Sequence, residues 1–138
     1  MATYLADKSA LARLETSPEV RVVLDPLLIT GQVATCGMSD LEMLYSARSP
    51  QGYAEVSTYL RSLPRVQISE SIVDRALAVQ ARLAERSQHL GIRFPDLLIA
   101  ACAESTGLTV LHYDADYERI AEVTSQAVQW VVPRGSVD

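Results

Sequence analysis

Lysine is nearly absent from this 138-residue chain: Lys8 stands alone against eleven arginines, and seventeen acids leave a net charge of -5. A globally acidic surface excludes a protein that coats nucleic acid through its overall charge, because that binding scales with the phosphates neutralised. It leaves room for a local arginine surface, or for a bound metal, to meet phosphate. Cysteine is equally scarce. Cys36 and Cys102 each lie inside an apolar segment. Two such residues form no zinc-ligand spacing and no disulfide framework, and they read as core filler in a reducing, cytoplasmic setting. No apolar run approaches the roughly 20 residues that span a bilayer. The N-terminal stretch lacks the basic region and long apolar core of a secretory signal, so no membrane association is expected.

What is present is an alternation of short apolar runs with helical patterns, in a chain that is 49% hydrophobic. Residues 3–6 read as a strand, followed by a short helix from Ser9 to Leu14. Ser17-Pro18-Glu19 opens another helix, with proline at an early helical position. Gly31 breaks the chain before a second strand, Gln32 to Cys36, which Gly37 closes. Ser39-Asp40-Leu41-Glu42 has the form of a capping box and predicts a helix to about Ala47. Ser49-Pro50 starts the next helix, and Val66 to Ile68 gives a third strand after Pro64. The longest helix is expected over Ser71 to Gln88, with Ile72, Ala76, Val79 and Leu83 on one stripe and Gly91 as its stop. The segment after Phe94-Pro95 is apolar nearly all round and reads as a buried helix to Gly107. Thr109 to Tyr113 is a fourth strand, Asp116 to Val123 a short helix, and Val128 to Val132 a fifth strand. Strands that alternate with helices predict a three-layer α/β/α fold with a central parallel sheet of four or five strands, as one domain over residues 1–138.

Open parallel sheets bind ligands beyond the carboxyl ends of their strands. Asp7 follows strand one, and Asp114 follows strand four with Asp116 two residues on. Glu42 lies early in the helix after strand two, and Asp96 opens the buried helix. Each alone is explained as a helix cap. Together they form a set of like charges that repel unless a cation lies among them. Carboxylates are hard oxygen ligands suited to Mg²⁺, with Mn²⁺ as the alternative. Such an ion activates water and stabilises charge in phosphodiester hydrolysis. Ser9 is placed to support a carboxylate or a coordinated water. Two other acidic strand-end chemistries fit poorly. A haloacid-dehalogenase-type phosphatase needs its DxDx[TV] stretch near the start of the domain, whereas the "DAD" here is late and has Glu118 where that pattern needs threonine or valine. A receiver domain needs a lysine at the end of a late strand, and the one lysine is Lys8.

An apolar strand into Asp7 with Ser9 two residues on, then "SDLEMLYSAR", "FPDLLIAACAE" and "TVLHYDADYERIA", occur in this order over essentially the whole chain. In that arrangement the sequence resembles the PIN-domain ribonucleases, and within them the VapC toxins of bacterial toxin–antitoxin pairs. The resemblance implies four catalytic acids at Asp7, Glu42, Asp96 and Asp114. It implies metal ligands among Asp7, Asp96, Asp114 and Asp116, and a supporting hydroxyl at Ser9. It further implies a Mg²⁺- or Mn²⁺-dependent endoribonuclease acting on structured RNA, a homodimer, and a cognate VapB-type antitoxin that blocks the acidic pocket with a basic side chain. His112 departs from the small polar residue that relatives often carry, and is expected to pack beside the site. A PIN nuclease of RNA processing and an inactive PIN-like interaction module are the alternatives; the complete acidic set argues against the second. Arg13, Arg48, Arg61, Arg65, Arg82, Arg86 and Arg93 are candidates for an RNA-facing surface or for ion pairs. Tyr45, Tyr53 and Tyr59 are expected in the core or at a dimer contact.

Overall fold

The computed structural model describes residues 1–138 and contains five strands and seven α-helices. In chain order these are β1 (Tyr4–Ala6), α1 (Lys8–Leu11), α2 (Pro18–Ile29), β2 (Val33–Cys36), α3 (Gly37–Tyr45), α4 (Pro50–Arg61) and β3 (Arg65–Val66). Then come α5 (Glu70–Glu85), α6 (Phe94–Thr106), β4 (Thr109–His112), α7 (Asp116–Thr124) and β5 (Val128–Trp130). All five strands join one parallel sheet in the order β3-β2-β1-β4-β5.

Successive strand residues point to opposite faces of a sheet, and that rule divides the interior into two cores. Leu5, Ala34, Cys36 and Val110 face one way, onto a cluster of 19 buried residues built with α5, α6 and α7. Ala6, Val33 and Leu111 face the other way, onto a nine-residue cluster with α1, α2 and the C-terminal Val131 and Val132. Helix α6 is buried along most of its length, as its apolar sequence predicts. Cys36 and Cys102 are both free and buried in the larger core.

The order of strands matters for function. From β1 the chain builds outward to β2 and β3, then returns to place β4 on the opposite side of β1. The two halves therefore diverge beyond the carboxyl ends of β1 and β4, and that divergence opens a crevice. Asp7 directly follows β1, and Asp114 lies two residues beyond β4.

Boundaries differ from the sequence expectation where side chains cap differently. Helix α3 begins two residues before Ser39. Cys36 is the N-cap, and its backbone N–H donates to Ser39 Oγ at 3.0 Å, so Ser39 closes the first turn instead of preceding it. Helix α5 stops at Glu85, well before Gly91. Ser87 takes the left-handed conformation at φ 55° and the Gln88 N–H closes on the Leu83 carbonyl at 2.8 Å, a helix end usually made by glycine. Strand β3 is Arg65–Val66, one residue ahead of the expected Val66 to Ile68, and β5 ends at Trp130.

Helix α6 ends at Gly107, in the left-handed region at φ 70°, where an added Cβ meets no atom within 4 Å. The cost of Gly107→Ala is therefore backbone strain alone, expected at ~1 kcal/mol by urea denaturation; a loss of several kcal/mol would show a hidden packing contact.

Candidate metal centre

Asp7 leaves β1 in extended conformation and caps α1. Its Oδ2 accepts the Ser9 N–H at 3.0 Å. The cap and the candidate ligand are thus the same residue, and capping fixes the direction of the carboxylate. The Ser9 hydroxyl accepts the N–H of Tyr113 at 2.8 Å. Ser9 therefore supports Asp7 through its backbone, while its side chain ties the turn after β1 to the turn after β4.

Glu42 does not complete a capping box. Its Oε2 is paired with Arg93, and its Oε1 is buried without a hydrogen-bond partner. Burial raises the Glu42 carboxyl, as does the Asp7 charge, while Arg93 pulls it back. The adjacent Asp40 is a separate structural acid, paired with Arg65 across to β3.

Asp96 is 2% exposed, at the third position of α6. The N-cap is Arg93, so Asp96 does not cap this helix, and its Oδ2 is buried without a partner. Burial first, then the charges of Asp7 and Asp114, push its carboxyl up to about 8. Asp114 accepts the Asp116 N–H on Oδ1 at 2.9 Å, which shapes the entry to α7 in place of a cap by Asp116 itself. Asp116 is raised by burial and by Asp114, with Arg119 opposing from 3.6 Å.

These acids form two triads that share Asp96: Asp7 with Glu42 and Asp96, and Asp96 with Asp114 and Asp116. Within each triad one oxygen per residue lies within 4.8 Å of the others. A buried carboxylate oxygen without a donor costs free energy, and two stand here among like charges. A hard divalent cation answers both deficits, so the residues present fit Mg²⁺ or Mn²⁺.

His112 is fully buried, as expected of a residue packed beside the site. Its ring lies 5.0 Å from that of Tyr117 and 4.9 Å from that of Trp130. Its Nδ1 accepts the Asp114 N–H at 3.1 Å, which puts the proton of the neutral ring on Nε2. Burial lowers its pKa.

Of the arginines considered for an RNA surface, Arg65, Arg86 and Arg93 form ion pairs, and Arg13 lies over the Tyr113 ring at 4.4 Å. Tyr45 is 90% exposed, and Tyr53 and Tyr59 are 49% and 42% exposed, so none is a core residue. Two site contacts went unread in the sequence. Arg93 reaches Glu42 across fifty-one positions. Tyr117 donates its hydroxyl to Asp7 Oδ1 at 2.7 Å. A signal for the second existed: Tyr117 lies on the apolar stripe of α7 beside Asp114, and a buried phenol needs a partner.

The model of the PIN domain matches residues 4–123. The chain belongs to the PIN-domain family. Within that family it is 44% identical to Ribonuclease VapC21 of Mycobacterium tuberculosis over 134 residues, 96% of each chain. It is 45% identical to Ribonuclease VapC51 of the same organism over 135 residues, 98% of this chain and 97% of that one. In fold this PIN domain is similar to the DNA-bound VapBC structure from Salmonella typhimurium. The TM-score is 0.78 at 17% identity, over 96% of this chain and 100% of the other.

The raised Asp96 carboxyl sets a pH dependence. Its folded pKa of about 8 lies above the ordinary carboxyl value of 3.8, so the folded protein holds a proton that the unfolded chain has released. Between those values, its contribution to stability in EDTA rises as pH falls. Below about pH 6.5 the lowered His112 acts in the opposite sense. Asp96 therefore adds stability in EDTA at about pH 7 relative to about pH 8.5, while the lowered Cys36 thiol acts in the opposite sense over that range, so the Asp96 part is read by urea unfolding as the difference between wild type and Asp96→Asn. Mn²⁺ affinity measured by calorimetry is expected to fall over the same step, because the ion displaces the proton. A wild-type stability relative to Asp96→Asn that does not grow on acidification across this range would remove Asp96 as the protonated member.

Proposed function

We propose that this chain is a Mg²⁺-dependent endoribonuclease, with Mn²⁺ able to replace Mg²⁺, and that it is the toxin of a VapBC-type toxin–antitoxin pair that cleaves structured RNA. The observation that carries the reading is the convergence of five acids from four distant segments onto one crevice, with buried oxygens that lack donors. The VapC relatives, named ribonucleases and matched over nearly their whole length, support the substrate class.

In this reading Asp7, Asp96, Asp114 and Asp116 hold the cation. Asp7, Glu42, Asp96 and Asp114 are the catalytic acids, and Ser9 positions Asp7. When bound, the cation supplies Lewis-acid stabilisation of the phosphodiester and of the leaving oxygen. The protein does the rest. Asp7 is pre-oriented by the Ser9 N–H, so it spends no ordering entropy when the site assembles. Glu42 Oε1 has no donor and a raised pKa, which suits it to take a proton from the attacking water. Arg93, with its side chain 61% exposed, is free to turn from Glu42 to an incoming RNA phosphate. The chain acts as one PIN domain over residues 1–138, as a cytoplasmic homodimer. No helix is long and apolar enough to cross a membrane. The partner is a VapB-type antitoxin with a basic side chain for the acidic pocket, where a cation replaces the charge of the metal.

EDTA is expected to abolish cleavage of RNA by the purified protein, and Mg²⁺ or Mn²⁺ to restore it; cleavage that persists in EDTA refutes the metal mechanism. Asp7→Asn should fall below detection in the same assay while remaining folded by circular dichroism. Expression alone should arrest growth, and co-expression of the antitoxin should relieve the arrest. Harmless expression of folded, cleaving protein would point to a PIN nuclease of RNA processing.

A further inference from the structure

Tyr117 is the largest side chain in the interior with no exposure, and it stands between two of the candidate ligands. The apolar stripe of α7, Tyr117 with Ile120 and Val123, asks only for a ring at this position. The phenol oxygen is an addition, and it is aimed at the acids. It lies 2.7 Å from Asp7 Oδ1 and 3.4 Å from Asp96 Oδ1. A phenol has one proton, and the shorter contact takes it.

The two carboxylates are consequently unequal. Asp7 has a donor on each oxygen, the Ser9 N–H on Oδ2 and the Tyr117 O–H on Oδ1. Its plane is fixed, with lone pairs left over on both atoms. Asp96 has only the long contact on Oδ1 and nothing on Oδ2. The ring of Tyr117 is held in turn. His112 packs on it at 5.0 Å, Trp130 backs His112 at 4.9 Å, and His112 Nδ1 receives the N–H of Asp114. One aromatic bracket thus reaches the acid after β1, the acid on α6 and the backbone of the acid after β4.

We propose that Tyr117 is a positioning residue of the metal centre: its hydroxyl sets the orientation of Asp7 against Asp96 before a divalent cation arrives. The inference rests on reading the acidic cluster as that centre. Partners that orient metal ligands without touching the metal change affinity about 10- to 100-fold when removed. A hydroxyl that merely satisfies a buried phenol would change fold stability and leave affinity alone.

The test is the Mn²⁺ dissociation constant from calorimetry, without RNA, for the wild type and for Tyr117→Phe, which keeps the ring. The expected result is at least ~10-fold weaker binding by the variant. Binding within twofold of the wild type by a folded variant overturns the proposal and leaves the proposed function standing. Absence of Mn²⁺ uptake by the wild type itself overturns both. A second measurement needs no variant. The Tyr117 hydroxyl proton, shielded from exchange, should give a downfield resonance in the chelated wild type, identified through its own ring protons. It should shift saturably as Mg²⁺ is added, and a resonance that stays fixed while the protein takes up Mg²⁺ overturns the proposal.

Discussion

Repulsion among buried carboxylates is the constraint on which the rest of this structure depends. Asp7 and Asp96 are almost wholly buried, and Glu42, Asp114 and Asp116 crowd the same crevice. No short peptide would hold these groups together, because each gains by moving into water. They stay because each is anchored to an element whose position is set by burial elsewhere. Asp7 is bound to a sheet strand, Asp96 to the most buried helix, Glu42 to α3 and Asp114 to the turn after β4. The apolar cores on the two sheet faces supply the stability against which this strain is stored.

The molecule softens that strain in three ways before any cation is present. Arg93 shields Glu42. Backbone N–H groups at the starts of α1 and α7 donate to Asp7 and Asp114. Asp96, deepest and with the fewest donors, keeps a proton to about 8. None of the three satisfies the buried oxygens of Asp96 and Glu42 that lack partners. The site is thus complete in geometry and incomplete in charge, which is what a hard cation or a basic side chain from a partner would supply.

Much of this was legible in the sequence because the fold writes itself in periodicity. Apolar runs after Gly31 and Gly107 marked strands, and the nearly all-apolar stretch after Asp96 marked a buried helix. Acids at the ends of those elements then converge by topology. Residues whose role depends on long-range geometry were illegible. Arg93 looked like any helix-flanking arginine, and its tie to Glu42 exists only once α3 and α6 are adjacent. Tyr45 was expected in the core or at a dimer contact, and its near-complete exposure excludes the core. Capping misled where one hydroxyl had two options: Ser39 has the sequence of an N-cap, yet its Oγ serves the N–H of Cys36 one turn earlier. Likewise Ser87 adopts the left-handed backbone expected of Gly91.

The central claim is that the carboxylates of Asp7, Asp96, Asp114 and Asp116 hold a divalent cation. The most direct measurement is an anomalous difference map from a crystal grown with Mn²⁺, recorded near the manganese edge. The account predicts a peak within coordinating distance of carboxylate oxygens from these residues. A saturated map with no peak in the crevice, or with Mn²⁺ only at exposed acids elsewhere, would contradict it.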